Sequence, residues 1–417
     1  MKSRSCLAIS PALQLALTLT LMFSTSAWAT SSYRTVYSFA GAHGGASPQS
    51  GLAQDTLRNL YGTTTTGGPL GHGVVFKLAP QLGGGWSETV LYNFSGGADG
   101  GYPVGGLIFD GAGNLYGTAV YGGNATCNCG VVFKLTPQLV GSWTESVLYT
   151  FSGSDGDQPE AGLVLDSAGN LYGTTIYGGG ASCSCGVVFK LAPRSSGSWI
   201  QTLLYTFAGA ADGGYPSSGL VFDRDGNLYG TASGGGSGNN GVVFKLASSS
   251  GVSWTETVLH TFTGADGSTP YAGVVFDGSG NLYGTTVFGG NLSDCGGGGC
   301  GVVYELTSGS GGVWTETVLH AFLGSPALQP FATLVFDSAG NLYSTATGGV
   351  TDGGAVFKLA PQSGGTWAYS VLHAFTAKPG ENPYSNLILD NAGNLYGTAY
   401  QCGVGYKCAG LAFEIMP

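Results

Sequence analysis

The sequence predicts an all-β fold: a seven-bladed β-propeller of four-stranded blades, closed by an N-terminal strand that completes the last blade. Three observations predict it. NLYGT or a near copy begins at Asn59, Asn114, Asn170, Asn227, Asn281, Asn341 and Asn394, at intervals of 53 to 60 residues, and a period of that order belongs to repeat architectures. Each period holds four short β-type segments. The chain ends complement each other: an orphan strand of the fourth type, Tyr33 to Phe39 (YRTVYSF), precedes the first copy, and the fourth strand is missing after the last, Gly410 to Ile415 (GLAFEI).

The N-terminus comes first. Lys2 and Arg4, an apolar run around Leu13 to Phe23 and then Ala27-Trp28-Ala29 have the three-part layout of a secretory signal peptide, residues 1–29. The apolar run is short for a membrane-spanning helix and no stop-transfer segment follows. No later stretch is long enough to span a bilayer. Residues 30–417 are then one domain of seven repeats of about 56 residues, secreted or periplasmic. The signal segment holds two of the 13 basic residues and no acids, leaving 11 basic against 23 acidic groups, a formal charge of −12. Phosphate binding needs clustered Lys and Arg, so nucleic acid is excluded as a partner. The 77 glycines show no collagen period and accompany a high aromatic content, the composition of an ordered, turn-rich globular chain.

Within one repeat the segments are Gly106 to Asp110 (GLIFD), Asn114 to Thr118 (NLYGT), Gly130 to Leu135 (GVVFKL) and Trp143 to Phe151 (WTESVLYTF). They are rich in Val, Leu, Phe, Tyr and Thr and bounded by Gly, Asp, Ser and Pro, the signature of strands and turns. A sheet apolar on both faces must be covered on both sides, as when blades stack around an axis. An open β-solenoid is the alternative architecture. The offset chain ends favour the closed ring, in which the first strand covers an edge that an open stack would leave bare.

Between the first and second segments lies the turn D-x-x-G-N. Its aspartates are Asp110, Asp166, Asp223, Asp277, Asp337, Asp390 and, in the first copy, Asp55. The Asp side chain can bond turn amides, and the Gly before Asn suits a positive φ. A calcium loop at Asp223 to Asn227 (DRDGN) is the alternative reading, but the full ligand spacing is absent.

Runs such as GLVFDRDGNLYGTASGGGSGNNGVVFKL, Gly219 to Leu246, resemble the Gloeobacter/Verrucomicrobia-type (GloVer) tandem repeat of exported choice-of-anchor proteins. The resemblance implies export and a propeller-like repeat and supplies no catalytic residues. The chain differs from anchored members in ending at Phe413 to Pro417 (FEIMP) without a sorting segment.

In such a ring the loops after NLYGT and after the Trp-containing strand share one face, and irregular loops on a regular scaffold are where binding sites concentrate. The mature cysteines all fall there: Cys127 and Cys129, Cys183 and Cys185, Cys295 and Cys300, Cys402 and Cys408. An even count in an exported chain points to disulfides. Local bridges are expected, with cross-blade bridges or a four-thiolate zinc site from the two C-x-C pairs as alternatives. Asp99, Asp155, Asp212 and Asp266 occupy equivalent positions in four loops, followed by Tyr102, Tyr215, Tyr271, Phe331 and Tyr384. They read either as turn caps and packing or as an acidic, aromatic arc. Such an arc suits carbohydrate or peptide, because rings cover apolar sugar faces while acids accept hydroxyl protons. His260, His320 and His373 share a repeat position with Tyr92, Tyr149 and Tyr205 and read as structural, while His43 and His72 lie in loops of the binding face.

No nucleophile elbow, zinc-protease helix or phosphate-binding Gly loop is present, and no catalytic residue, metal or cofactor is assigned. The leading reading is an exported, monomeric, non-catalytic propeller that binds a glycan, peptide or cell-surface protein through this face. The alternatives are a propeller hydrolase or lyase using loop carboxylates and a structural role in an envelope or matrix.

Overall fold

A computed structural model describes residues 31–42, 44–139, 141–180, 183–249, 253–348, 353–375, 380–402 and 409–417. The expected signal peptide, residues 1–29, and His43 lie outside them. The described chain forms seven four-stranded antiparallel sheets, each a blade of a closed β-propeller. In blade 2 the strands run Ile108–Phe109, Leu115–Ala119, Val131–Pro137 and Trp143–Thr150 from the inside outward. Blades 1 and 3 to 6 repeat this order. No helix among the described residues is long and apolar enough to cross a membrane.

Blade 7 is built from both chain ends. Its first three strands are Ile388–Leu389, Leu395–Ala399 and Leu411–Met416, and its outer strand is Ser32–Ser38, paired antiparallel with Leu411–Met416. Without Ser32–Ser38, Leu411–Met416 would present a bare hydrogen-bonding edge.

The core lies between blades. The second strand of every blade is buried along its whole length (Leu115–Ala119, for example), while the outer strand alternates exposed and half-buried positions. One apolar cluster joins Tyr116, Val132 and Phe151 of blade 2 to Leu163, Leu171 and Phe189 of blade 3, and another joins Val36, Phe39 and Ala412 to Leu60 and Phe76 across the closure. A sheet covered on both faces accounts for the near-continuous apolar strands.

The NLYGT motif serves four contacts. In blade 2, Asp110 Oδ1 accepts the amides of Ala112 and Asn114, and its Oδ2 accepts Asn114 Nδ2 at 2.7 Å and the Tyr116 hydroxyl at 3.0 Å. Gly113 takes a φ of 82°, as the turn requires. A Cβ on Gly117 would stand 2.6 Å from the Phe133 ring, so the glycine admits that ring beneath the strand. Thr118 Oγ1 donates 3.0 Å to the carbonyl of Ala161 in the next blade. In DRDGN the Asp223 carboxylate accepts the same four donors, so turn chemistry accounts for this copy as for the others. Burial would raise the pKa of these turn acids. The donated hydrogen bonds outweigh it and hold Asp55, Asp110, Asp166, Asp223, Asp337 and Asp390 below the usual range.

Two rings of contacts outside the motif join neighbouring blades. A proline in each loop entering a blade packs on the glycine that starts the third strand of the preceding blade; Pro159 against Gly130 is one case. At the periphery the Tyr or His of one outer strand meets the residue two after Trp in the next. Tyr37 donates to Glu88 at 3.0 Å and Tyr149 to Gln201 at 3.3 Å, while His320 stacks on Tyr369 and His373 on Tyr33 at centroid distances of 4.1 and 4.0 Å. His320 and His373 are therefore interblade packing groups, whereas His260 packs on Phe262 and meets Asp266 in the loop that follows its own strand; burial holds the pKa values of all three down.

Candidate functional site

The antiparallel order places the second-to-third-strand loops and the blade-to-blade connections on one face of the ring. The D-x-x-G-N turns and the hairpins before Trp lie on the other.

The loop-face cysteines bridge locally: Cys127 to Cys129, Cys183 to Cys185 and Cys295 to Cys300. Cys402 is disulfide-bonded too; its expected partner, Cys408, lies outside the described residues. With each C-x-C pair bonded internally, neither a cross-blade bridge nor a four-thiolate zinc site is left for those sulfurs. No group of His, Cys, Asp and Glu among the described residues has the arrangement to hold a metal ion.

Asp99, Asp155, Asp212 and Asp266 sit where each chain leaves an outer strand, and each closes its own turn. Asp99 Oδ2 accepts the Ser95 amide at 2.8 Å and the Tyr92 hydroxyl at 2.9 Å, and Asp212 accepts the Ala208 amide and the Tyr205 hydroxyl in the same way. Asp155 accepts the Ser152 amide and the Tyr149 hydroxyl, and Asp266 the Thr263 amide, with His260 Nε2 at 3.2 Å. The four are spaced around the ring, one in each of four successive connections, and none lines the cavity on the axis or at its mouth.

The tyrosines separate into two positions. Tyr102 and Tyr215 immediately precede the loop proline and take φ values of 56° and 59°. Their amides donate 2.8 Å to the carbonyls of His72 and Cys185, and their rings pack edge-on against Tyr121 and Tyr177. Tyr271 instead follows its proline, as do Phe331 and Tyr384, and these three rings line the cavity at the mouth of the axial channel; Tyr102 and Tyr121 border the same cavity, while Tyr215 does not. The same post-proline position is Gln49, Val104, Glu160 and Ser217 in the other blades, and all seven line the axis.

The mouth cavity has a volume of about 370 Å³. Tyr271, Phe331 and Tyr384, from three successive blades, pack edge to face with centroids 5.5 and 5.3 Å apart, and Tyr400 extends the row at 6.0 Å. Across the opening stands Glu160. The Tyr271 hydroxyl reaches over the small Ser217 of the intervening blade and donates to Glu160 Oε2 at 2.8 Å. Burial raises the Glu160 pKa, and the hydrogen bond from Tyr271 only partly offsets this. Burial and the adjacent carboxylate raise the Tyr271 pKa as well. Glu160 is the single carboxylate in the cavity lining, which contains no Lys or Arg.

Aligning the loops on GADG-type motifs groups Tyr102 with Tyr271 and passes over Glu160. Aligning them on the proline separates the two and brings Glu160, Phe331 and Tyr384 into one column. That was the available signal.

No curated protein matches the chain. Among solved structures it is similar to an ulvan lyase of a new polysaccharide lyase family bound to a glucuronic acid–rhamnose 3-sulfate unit (TM-score 0.54, 11% identity, covering 91% of this chain and 95% of that one). It is also similar to a Dyadobacter fermentans protein of unknown function (TM-score 0.47, 12% identity, 92% and 98% covered) and to a Trichoderma reesei carbohydrate-active enzyme of family AA12 (TM-score 0.43, 14% identity, 93% and 96% covered). At these identities the likeness is one of fold. The family model for the Gloeobacter/Verrucomicrobia repeat matches residues 21–184 and 124–298, more than half of the sequence, and the chain belongs to that family.

Proposed function

We propose that this protein is an exported binding module that takes a glycan at the channel mouth of its loop face. The observation that carries the reading is the row Tyr271, Phe331 and Tyr384 facing the single carboxylate Glu160 across an open cavity. Flat aromatic rings cover the apolar faces of pyranoses, and a carboxylate opposite accepts their hydroxyl protons. Hydrolysis by the usual route needs two carboxyl groups flanking one bond, and the cavity lining supplies one. The Tyr271 hydroxyl, its pKa raised, is poorly suited to act as a base. Both points favour binding over a hydrolase or lyase. The ulvan lyase is a carbohydrate-binding relative in fold, which is compatible with a glycan here and carries nothing about chemistry. Local disulfides accord with an oxidising, extracytoplasmic location.

The test is a screen of the purified protein against soluble glycans, followed by titration of the best binder. Phe331→Ala and Tyr384→Ala should each weaken binding at least about tenfold, a change of about 1.4 kcal/mol, with the melting temperature nearly unchanged. Unaltered affinity in both variants refutes the site. Shortened or unsaturated products after prolonged incubation would move the reading to an enzyme.

A further inference from the structure

The loop face has an uneven charge distribution. Its described loops carry acids from Asp99 in the blade 1–2 connection to Glu381 in the blade 6–7 connection, and no Lys or Arg. Every described basic residue lies elsewhere: on a third strand, as Lys77, Lys134, Lys190, Lys245 and Lys358 do over the tyrosine rings of their own blades, on the outer strand of blade 7, or in a turn of the opposite face. Lys378 and Lys407 belong to loop-face segments in the sequence and lie outside the described residues. A cavity at the centre of an acidic face collects positive ligands.

The mouth itself has the parts of a cation cage. The edge-to-face row turns successive rings so that π faces as well as edges border the cavity, and an ammonium over such a face is held by the ring quadrupole. Glu160 stands half-buried opposite, hydrogen-bonded to Tyr271 and with no cationic partner among the residues that line the cavity with it. A carboxylate desolvated in this way is costly to ionise without a counter-charge. An ammonium seated between Glu160 and the rings supplies that charge.

We propose that the glycan taken at the channel mouth is an amino sugar polymer with free amines, its ammonium group seated between Glu160 and the rings of Tyr271, Phe331 and Tyr384. This rests on the glycan reading above and adds the ligand's charge to it. Replacing the amine by an acetamide removes the cation and leaves the pyranose faces unchanged. One pair of oligosaccharides therefore separates the two claims.

The experiment is calorimetric titration of the protein at about pH 6 with a glucosamine hexasaccharide and with an N-acetylglucosamine hexasaccharide. The amine is largely protonated there. The glucosamine oligomer is expected to bind at least about tenfold tighter. Glu160→Gln keeps an acceptor for the Tyr271 hydroxyl and should abolish that preference, weakening the glucosamine oligomer by far more than the acetylated one. Phe331→Leu, which keeps apolar bulk and removes a π face, should reduce the preference too. Because the pair needs an ionised carboxylate, the preference should shrink as pH falls through the raised Glu160 pKa. Equal affinity for the two oligomers overturns the cation and spares the glycan site. A glucosamine preference that survives Glu160→Gln also overturns it. If neither oligomer binds the unaltered protein, the amino sugar proposal fails, and the glycan reading is then decided by the wider screen.

Discussion

Thr398 Oγ1 donates at 3.2 Å to the carbonyl oxygens of Pro48 and Ser50, joining residues 350 and 348 positions apart. Elsewhere the equivalent threonine bonds the next blade in sequence, as Thr118 bonds Ala161 at 3.0 Å and Thr231 bonds Ala272 at 2.9 Å. At Thr398 the same local motif closes the ring. The last second strand is thereby tied to the first blade inside the closure that Ser32–Ser38 makes at the rim.

Thr398→Val keeps the side-chain volume and leaves two buried carbonyls without that donor, which should cost about 1–3 kcal/mol. Urea unfolding measures it. Deleting Ser32–Ser38 removes the outer strand of blade 7 and should produce association through the exposed edge of Leu411–Met416, read by light scattering. A monodisperse deletion variant of unaltered stability would contradict the closure.

Two sets of acids impose opposite pH dependences. Asp55, Asp110, Asp166, Asp223, Asp337 and Asp390 titrate below their unfolded values, so their contribution is complete above about pH 4 and is lost as pH falls through the folded values. Glu145, Glu256 and Glu316, on outer strands, are raised to about 7 by burial and then by Asp99, Asp212 and Asp266. For these the sign reverses: the contribution is complete below the unfolded glutamate value and is lost as pH rises through about 7. The melting temperature should therefore peak between about pH 4.5 and 6. Blade 3 carries Gln201 at this position, with Nε2 donating to the Asp155 carbonyl at 2.7 Å. Glu145→Gln combined with Glu256→Gln and Glu316→Gln should raise the melting temperature at pH 8 and flatten the alkaline limb. A melting temperature that climbs steadily from pH 5 to 8 would refute the assignment.

Gly117→Ala places a Cβ 2.6 Å from the Phe133 ring and 2.9 Å from a Leu107 methyl. The ring must shift within a packed interface, at a cost of about 1–3 kcal/mol. Blade 6 accommodates Ser344 at this position, with its hydroxyl on the Ala332 carbonyl at 3.0 Å, so Gly117→Ser should be milder than its size suggests. The order of the two denaturation midpoints checks this.

Asp99→Asn converts a carboxylate acceptor of the Ser95 amide and the Tyr92 hydroxyl into an amide. Hydrogen bonds to charged acceptors are the stronger kind, so a loss of about 1 kcal/mol is expected. Asp99 stands away from the channel mouth, and glycan affinity should not change. A binding defect with full stability would restore Asp99 to the site.

The sequence by itself determined the repeat count, the four strands, the split last blade and the Asp-capped turn. Each follows from patterns within about ten residues or from counting: Asp110 meets Asn114 and Tyr116 four and six positions away, and an unpaired strand at one end needs a gap at the other. Local pairing of Cys295 with Cys300 is legible for the same reason. Only the tertiary structure decided which loop side chains meet. Glu160 and Tyr271 are 111 residues apart and face each other because the ring carries the post-proline position of each blade to a common axis. Tyr102 and Tyr215, on the other side of their prolines, take a left-handed backbone conformation and pack edge-on against Tyr121 and Tyr177, which leaves Tyr102 at the border of the mouth cavity and Tyr215 outside it. Composition cannot distinguish a tyrosine before the loop proline from one after it; rotation about the axis and the backbone turn at the proline do.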